Sequence, residues 1–275
     1  MTSHDVVAAA RRALREKRIG HAGTLDPFAT GLLVLMVGRA TRLLPHMSGD
    51  PKVYEAVIRF GSETTTADLH GEVVATAPVP THEQLLAALP TLTGELDQIP
   101  PVYSAKRIGG QRAYDLARAG VAVEMRPARV RVDAWTPGRW DPPNFSAHIT
   151  CGGGTYIRSL ARDLGRLVGS AAHLVALRRL RSGPFDVAHA TTLDALAAGG
   201  AAPLLAPRAA LGEVAEQQLD AEDVARVARG IAVPATVPGD RVALLNAANG
   251  ALVAYAERRA GLWQPRVVMR PADGG

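Results

Sequence analysis

At 275 residues, 47% of them hydrophobic, the chain can bury one large core and still spare a small appended unit. A single cysteine, Cys151, excludes a disulfide framework and suits a reducing cytoplasm. No apolar run approaches the length of a bilayer span, so a soluble protein without membrane attachment is expected. The net charge of +5 and the pI of about 9.8 are unevenly distributed. Residues 104–131 carry seven Lys or Arg against two acids, and residues 158–181 six Arg against one; residues 213–275 are near neutral. Two such clusters suit a polyanion, nucleic acid being the usual one, although a solubilising surface accounts for the charge equally well.

The first residues, MTSHDVVAAARRALREK, form an amphipathic pattern with Thr2 and Asp5 at a helix start and Val6, Val7, Ala10 and Leu14 as its stripe. They lack the apolar core of a signal peptide. A constrained loop follows, GHAGTLDPFATG (20–31), and then a strand-like run, LLVLMV. VYEAVIRF (53–60) alternates: Tyr54, Ala56, Ile58 and Phe60 share one face, Val53, Glu55, Val57 and Arg59 the other. GSETTTADLHG reads as loop, THEQLLAAL as a helix with a capping box, and QRAYDLARAG as a short helix. ARVRVDAW, FSAHITC and HLVALRRLRSGPF read as strands. TYIRSLARDLGRLVG reads as a helix whose buried face is Ile157, Leu160, Leu164 and Leu167. Without a regular βαβ beat this is an α+β protein with a mixed, largely antiparallel sheet flanked by helices. After an alanine- and proline-rich stretch near 198–212, short strands and a hairpin signal at Asn249-Gly250 predict a small β-rich unit. The expected domains are 1–212 and 213–275.

The eight histidines have no helical ligand spacing, and a lone cysteine makes no pair, so the sequence offers no metal site. Cys151 reads as a small buried hydrophobe. CGGGTYIRSL is a glycine run opening a helix, which can cradle phosphate or be a plain strand-to-helix turn. Arg158 falls in the first turn of that helix, where the macrodipole disfavours a cation. Such a charge points to a partner elsewhere, a buried carboxylate or a phosphate. Arg162 and Arg166 read as a solvated face. Asp26 taken alone is a turn cap, since Asp-Pro commonly starts turns. Yet Gly20, Gly23, Pro27 and Gly31 fix the loop around it, which suits a nucleophilic carboxylate. Pairing with Arg158 would lower its pKa and keep it ionised.

GHAGTLDPFATGLLVLMVGRATRLL closely resembles the catalytic motif of the TruB family, the tRNA pseudouridine-55 synthases. KVYEAVIRFGSETTTADLHGEV, IPPVYSAKRIGGQRAYDLARAG and CGGGTYIRSLARDLGRLVGSAAHLVALRRLRSGPF fit the same family in the same order. Together they cover much of residues 20–185. The resemblance implies the pseudouridine synthase fold and isomerisation of a uridine in the tRNA T-loop: the N1–C1′ bond breaks, the base turns, and it rejoins through C5. It implies no cofactor. It makes Asp26 the catalytic aspartate and Arg158 its partner, and Tyr54 the tyrosine that stacks on the target base. His21 becomes the histidine inserted into the T-loop, Tyr156 an active-site tyrosine and Leu180 an apolar pocket residue. Lys106, Arg107 and Arg112 fall in a segment, 104–120, that closes over the RNA, and Asp68 faces the same cleft. Residues 213–275 resemble a small PUA-like RNA-binding domain. The expected partner is the T-arm of tRNA, for a cytoplasmic monomer needing no protein partner.

The physics of such a reaction fits these residue types. A uridine in a folded loop must be extruded before its C1′ or C6 is reachable. An aromatic platform, a side chain to fill the vacated stack and cations for the phosphates are then required. Whether Asp26 attacks C1′ or C6 stays open. An RNA-binding or RNA-folding role can coexist with catalysis. The guide-RNA-dependent relatives are disfavoured by the short chain and the 104–120 segment in cis. A retaining glycosidase needs a second carboxylic acid about 5 Å away, which the motif does not supply. Family members have a strand and a Lys-Pro segment before the position of MTSHDVV, so an upstream segment is expected.

Overall fold

The computed structural model describes residues 1–47, 49–103, 107–108, 111–112, 125–199 and 204–269. Helix α1 (Ser3–Leu14) begins with a capping box in which Thr2 and Asp5 satisfy each other's backbone N–H groups, as the sequence predicts. Val7 and Ala10 pack with Ile19, flanked by Leu14, Leu35, Val37 and Leu196. The constrained loop is partly strand. β1 (Ile19–Ala22) pairs antiparallel with β3 (Val34–Val37), and β2 (Thr30–Gly31) lies between them in sequence. A 3-10 segment, Gly38–His46, follows.

The central sheet alternates as its sequence dictates. β4 (Lys52–Phe60) buries Tyr54, Ala56, Ile58 and Phe60 and leaves Glu55 and Arg59 exposed. β5 (Ser62–Thr64), at the start of the segment read as loop, pairs with β6 (Val73–Thr76), just beyond that segment, in a small hairpin. Then come α2 (His82–Ala88), capped by Thr81 and Gln84, and β7 (Gly94–Gln98). β8 (Arg107–Ile108) and β9 (Gln111–Arg112) pair with each other. The start of QRAYDLARAG is therefore strand, and the rest of that predicted helix lies outside the described residues. β10 (Ala128–Asp141), β11 (Asn144–Cys151), α3 (Ile157–Leu167), β12 (Ala172–Ser182) and β13 (Phe185–Asp186) complete this body, followed by the short α4 (Leu193–Ala197).

The seven-stranded sheet runs β13-β12-β4-β11-β10-β7, with β2 added alongside β12. All its pairings are antiparallel except β2 with β12. The core lies between this sheet and helices α2 and α3: Ile58, Phe60, Leu85, Phe145, Ile149, Leu160 and Leu164 meet there. Leu167, expected on the buried face of α3, is 46% exposed because it sits in the last turn, beyond the sheet.

The C-terminal residues build a second sheet, β14-β16-β17-β18-β15, from β14 (Ala215–Leu219), β15 (Val233–Pro234), β16 (Arg241–Asn246), β17 (Leu252–Arg259) and β18 (Leu262–Val268). The predicted Asn249-Gly250 turn joins β16 to β17. A helix the sequence reading had not marked, α5 (Ala221–Ala228), packs on this sheet through Val227. The two bodies share apolar contacts: Met36 and Leu43 pack with Leu211, Tyr255 and Val267, and His46 stacks on Tyr255 at 4.4 Å. Among the described residues no helix is long and apolar enough to cross a membrane.

Candidate active site

The loop that carries Asp26 is held from three sides. Its Ala29 N–H donates to Asp26 O at 2.9 Å, closing a turn. The buried Ser3, first residue of α1, accepts from Leu25 N–H at 3.0 Å through Oγ and donates back to Leu25 O at 3.4 Å. The third brace is Arg179 on β12, only 1% exposed. Its Nε donates to Leu32 O at 2.8 Å and its Nη2 to Gly23 O at 3.1 Å, tying the two ends of the loop together. Gly31 explains one of the loop glycines: its φ is +95°, and a Cβ there would lie 2.2 Å from Arg179 O.

Within this frame Asp26 meets Arg158. Arg158 Nη2 donates to Asp26 Oδ1 at 2.7 Å and Nε to Oδ2 at 3.1 Å, a two-pronged pair. The same guanidinium donates to Thr66 O at 3.0 Å and Tyr103 O at 2.9 Å, and lies 3.5 Å from Asp68 Oδ2. Arg158 is 5% exposed, so its orientation is fixed, whereas the Asp26 side chain keeps 29% exposure and can be reached. The awkward cation in the first turn of α3 thus has its carboxylate partner. The expected fall in the Asp26 pKa is corrected. Burial, the largest influence, raises it above the usual carboxylate value. The Arg158 charge and hydrogen bonds oppose this, and Asp68 adds to the rise.

Of the other predicted residues, Asp68 and Tyr54 lie next to this pair. Asp68, 6% exposed, is held by Thr66 Oγ1 at 2.6 Å and His70 N–H at 3.0 Å and faces Arg158, inside the same cluster. Tyr54 is buried on β4, directly opposite Arg179 on β12. Burial raises its phenol pKa, Arg179 opposes that, and the nearby Asp26 charge adds to it. Leu180 is half-buried in the bulge that follows Arg179. Tyr156 is the N-cap of α3, locked by Gln98: its N–H donates to Oε1 at 2.8 Å and its O accepts from Nε2 at 3.1 Å. His21 is half-buried on β1, edge-on to His4 at 5.6 Å between ring centroids. Its Nδ1 is buried without a partner, and burial, then His4 and Arg179, lowers its pKa. Arg107 and Arg112 are cross-strand neighbours in the β8-β9 hairpin, and Lys106 lies outside the described residues.

One sequence reading changes, and another stands with an ion pair added. Arg162 is not a solvated charge: it donates to Asp163 at 2.8 Å and to Ile99 O at 2.9 Å, with a side chain 12% exposed. Arg166 is exposed but ion-paired with Glu63 at 2.6 Å. Arg179 was missed altogether. Its signal was parity, since it lies two residues after the buried Leu177 on one strand. Cys151 is fully buried, and burial pushes its thiol up to about 11, so it is protonated near neutrality and no nucleophile. Among the described residues no group of His, Cys, Asp and Glu is arranged to hold a metal ion.

Comparison with known proteins converges on one family. Residues 11–157 match the model for the N-terminal domain of TruB family pseudouridylate synthases, and residues 158–202 that for the tRNA pseudouridylate synthase B C-terminal domain. The tRNA pseudouridine synthase B of Thermobifida fusca is 45% identical over 277 residues, covering 97% of this chain and 94% of that one. Its namesake from Gloeobacter violaceus is 43% identical, covering 98% and 95%. Among solved structures, an H/ACA RNP bound to a substrate RNA containing 2′-deoxyuridine superposes with a TM-score of 0.75 at 21% identity, over 99% of this chain and 83% of that chain. A Cbf5-Nop10-Gar1 complex gives 0.73 at 24%, over 99% and 83%. At these identities the structures speak to the fold alone.

Proposed function

The chain belongs to the TruB family of pseudouridylate synthases, and from that premise we propose that it converts uridine 55 in the T-loop of tRNA to pseudouridine with Asp26 as nucleophile. The observation that carries this reading is the two-pronged Asp26–Arg158 pair on a loop braced from three sides. The reaction is a balanced isomerisation. The N1–C1′ bond breaks, a C5–C1′ bond forms, the C5 proton leaves and N1 gains one, so no redox partner or cofactor enters.

The residues divide the work by their positions. Asp26, reachable on one side, attacks the extruded nucleotide, while Arg158 holds the carboxylate oriented and favours its ionised form. Tyr54 supplies the aromatic platform for the base, and Leu180 an apolar wall. His21, whose pKa burial lowers, fills the gap left by the flipped base. Tyr156 lines the same cleft, Asp68 steadies Arg158, and Lys106, Arg107 and Arg112 hold RNA phosphates. Residues 213–275 act as the PUA-like RNA-binding unit. The enzyme works as a cytoplasmic monomer without a protein partner. Incubating it with a tRNA transcript and mapping pseudouridine tests the reading: modification confined to the T-loop uridine supports it, and none refutes it.

A further inference from the structure

Beyond the pocket, the molecule carries a concentration of cations that the proposed chemistry leaves unused. Arg11, Arg12, Arg15, Lys17 and Arg18 are all exposed, five cations in eight residues against one acid, Glu16. Elsewhere many arginines have carboxylate partners: Arg129, Arg131, Arg139, Arg162, Arg166, Arg208 and Arg266 all lie within 4 Å of one. Arg12, Arg15, Lys17 and Arg18 make no such pair with a described residue. Glu16 does not neutralise them by contact; its Oε1 accepts from the backbone N–H of Arg18 at 2.6 Å. Arg11 is partly engaged, donating to Ile19 O at 2.9 Å.

The position of this patch gives it direction. In a helix, residues spaced by four and seven share a face. His4, Ala8 and Arg11 therefore form one stripe on α1, and Arg15 follows at its C-terminal cap. His4 is the end of that stripe touching His21 of the candidate site. The other end lies a helix length away, about 18 Å for twelve residues. That is too far for contact with the target base, but the same helix links it to His21 through His4. Clustered, exposed, unneutralised cations are the electrostatic footprint of a phosphate backbone.

We propose that the C-terminal end of α1 and the turn after it, Arg12, Arg15, Lys17 and Arg18, form a second docking surface for the sugar-phosphate backbone of the RNA substrate, outside the loop that holds the target uridine. The inference rests on the assignment of RNA as substrate. It separates two contributions: the cleft selects the nucleotide, and the patch adds affinity without base recognition.

The test is the variant Arg12→Gln/Arg15→Gln/Lys17→Gln/Arg18→Gln. Its binding is measured against a full-length tRNA transcript and against a minimal hairpin carrying only the target loop and a few closing base pairs. Affinity for the full transcript should fall at least about tenfold near physiological salt, and the log–log salt slope should flatten by about two to four. Affinity for the minimal hairpin and turnover at saturating RNA should stay within about twofold of wild type, because none of the four lies in the cleft. An unchanged slope on the full transcript, or an equal loss on the minimal hairpin, would overturn the proposal. Should the quadruple variant lose its thermal transition, Lys17→Gln/Arg18→Gln, which lies outside the helix, is read by the same criteria at half the slope change. Wild-type turnover on the transcript is scored first, so a failed substrate assignment is distinguishable from a failed docking surface.

Discussion

At the scale of single residues, Asp26 is pulled two ways. Burial favours the protonated acid and Arg158 favours the carboxylate, with the balance above the usual value of 3.8. A nucleophile must be ionised, so activity is lost as pH falls through the Asp26 pKa. The acid limb of kcat/KM should therefore lie above that of an ordinary aspartate. Arg158→Gln removes the main lowering influence and should move the limb to still higher pH, with at least about a hundredfold loss at neutrality. A pH–rate profile checks both, and an unmoved limb would show that Arg158 does not govern this ionisation. Arg158→Lys keeps the charge but not the fork that reaches both oxygens, and should also be poorly tolerated; kcat measured near neutrality should fall well below wild type. The need for a partner was legible in the sequence, because a cation in the first turn of α3 opposes the helix dipole. The sign of the Asp26 shift was not, because burial is a property of the assembled fold.

At the scale of elements, the Asp26 loop is stapled between α1 and β12, and its rigidity depends on a few contacts. Gly31→Ala would place a Cβ against Arg179 O and force a positive φ on a side chain. It should cost at least about 2 kcal/mol of stability, read by denaturant unfolding, and slow turnover as well. Arg179→Met would remove the donors to Gly23 O and Leu32 O from a buried site. It should lower kcat more than it weakens RNA binding, because it displaces the Asp26 loop rather than an RNA contact; an unaffected kcat would deny the brace any catalytic role. The alternation of β4 and the capping boxes of α1 and α2 could be read directly, since period and cap chemistry are local. The bracing was less visible: Ser3 meets Leu25 and Arg179 meets Gly23 only after the chain has closed on itself. Arg162 misled because a helix pattern shows which way a residue points, not that the Ile99 carbonyl waits there.

At the scale of the whole molecule, the second sheet meets the 3-10 segment after β3 in a seam at Tyr255, Leu211 and Leu43, and the basic residues spread over surfaces beyond the cleft. The strands of both bodies were legible because alternation and turn residues mark them. The seam was not, since its members come from residues more than 150 positions apart and carry no shared pattern. RNA binding should weaken steeply with added salt, and neutralising Lys106, Arg107 and Arg112 together should flatten the slope. Fluorescence titration at several salt concentrations checks this, and an unchanged slope would remove those residues from the interface. The central claim, that Asp26 on its braced loop is the nucleophile that isomerises a tRNA uridine, meets its most direct test in one comparison. Wild type and Asp26→Asn are incubated with the same tRNA transcript and pseudouridine is mapped at nucleotide resolution. The account predicts pseudouridine at the T-loop uridine with wild type, and none with Asp26→Asn although it still binds the RNA. Modification by the Asn variant at a substantial fraction of the wild-type rate would contradict it.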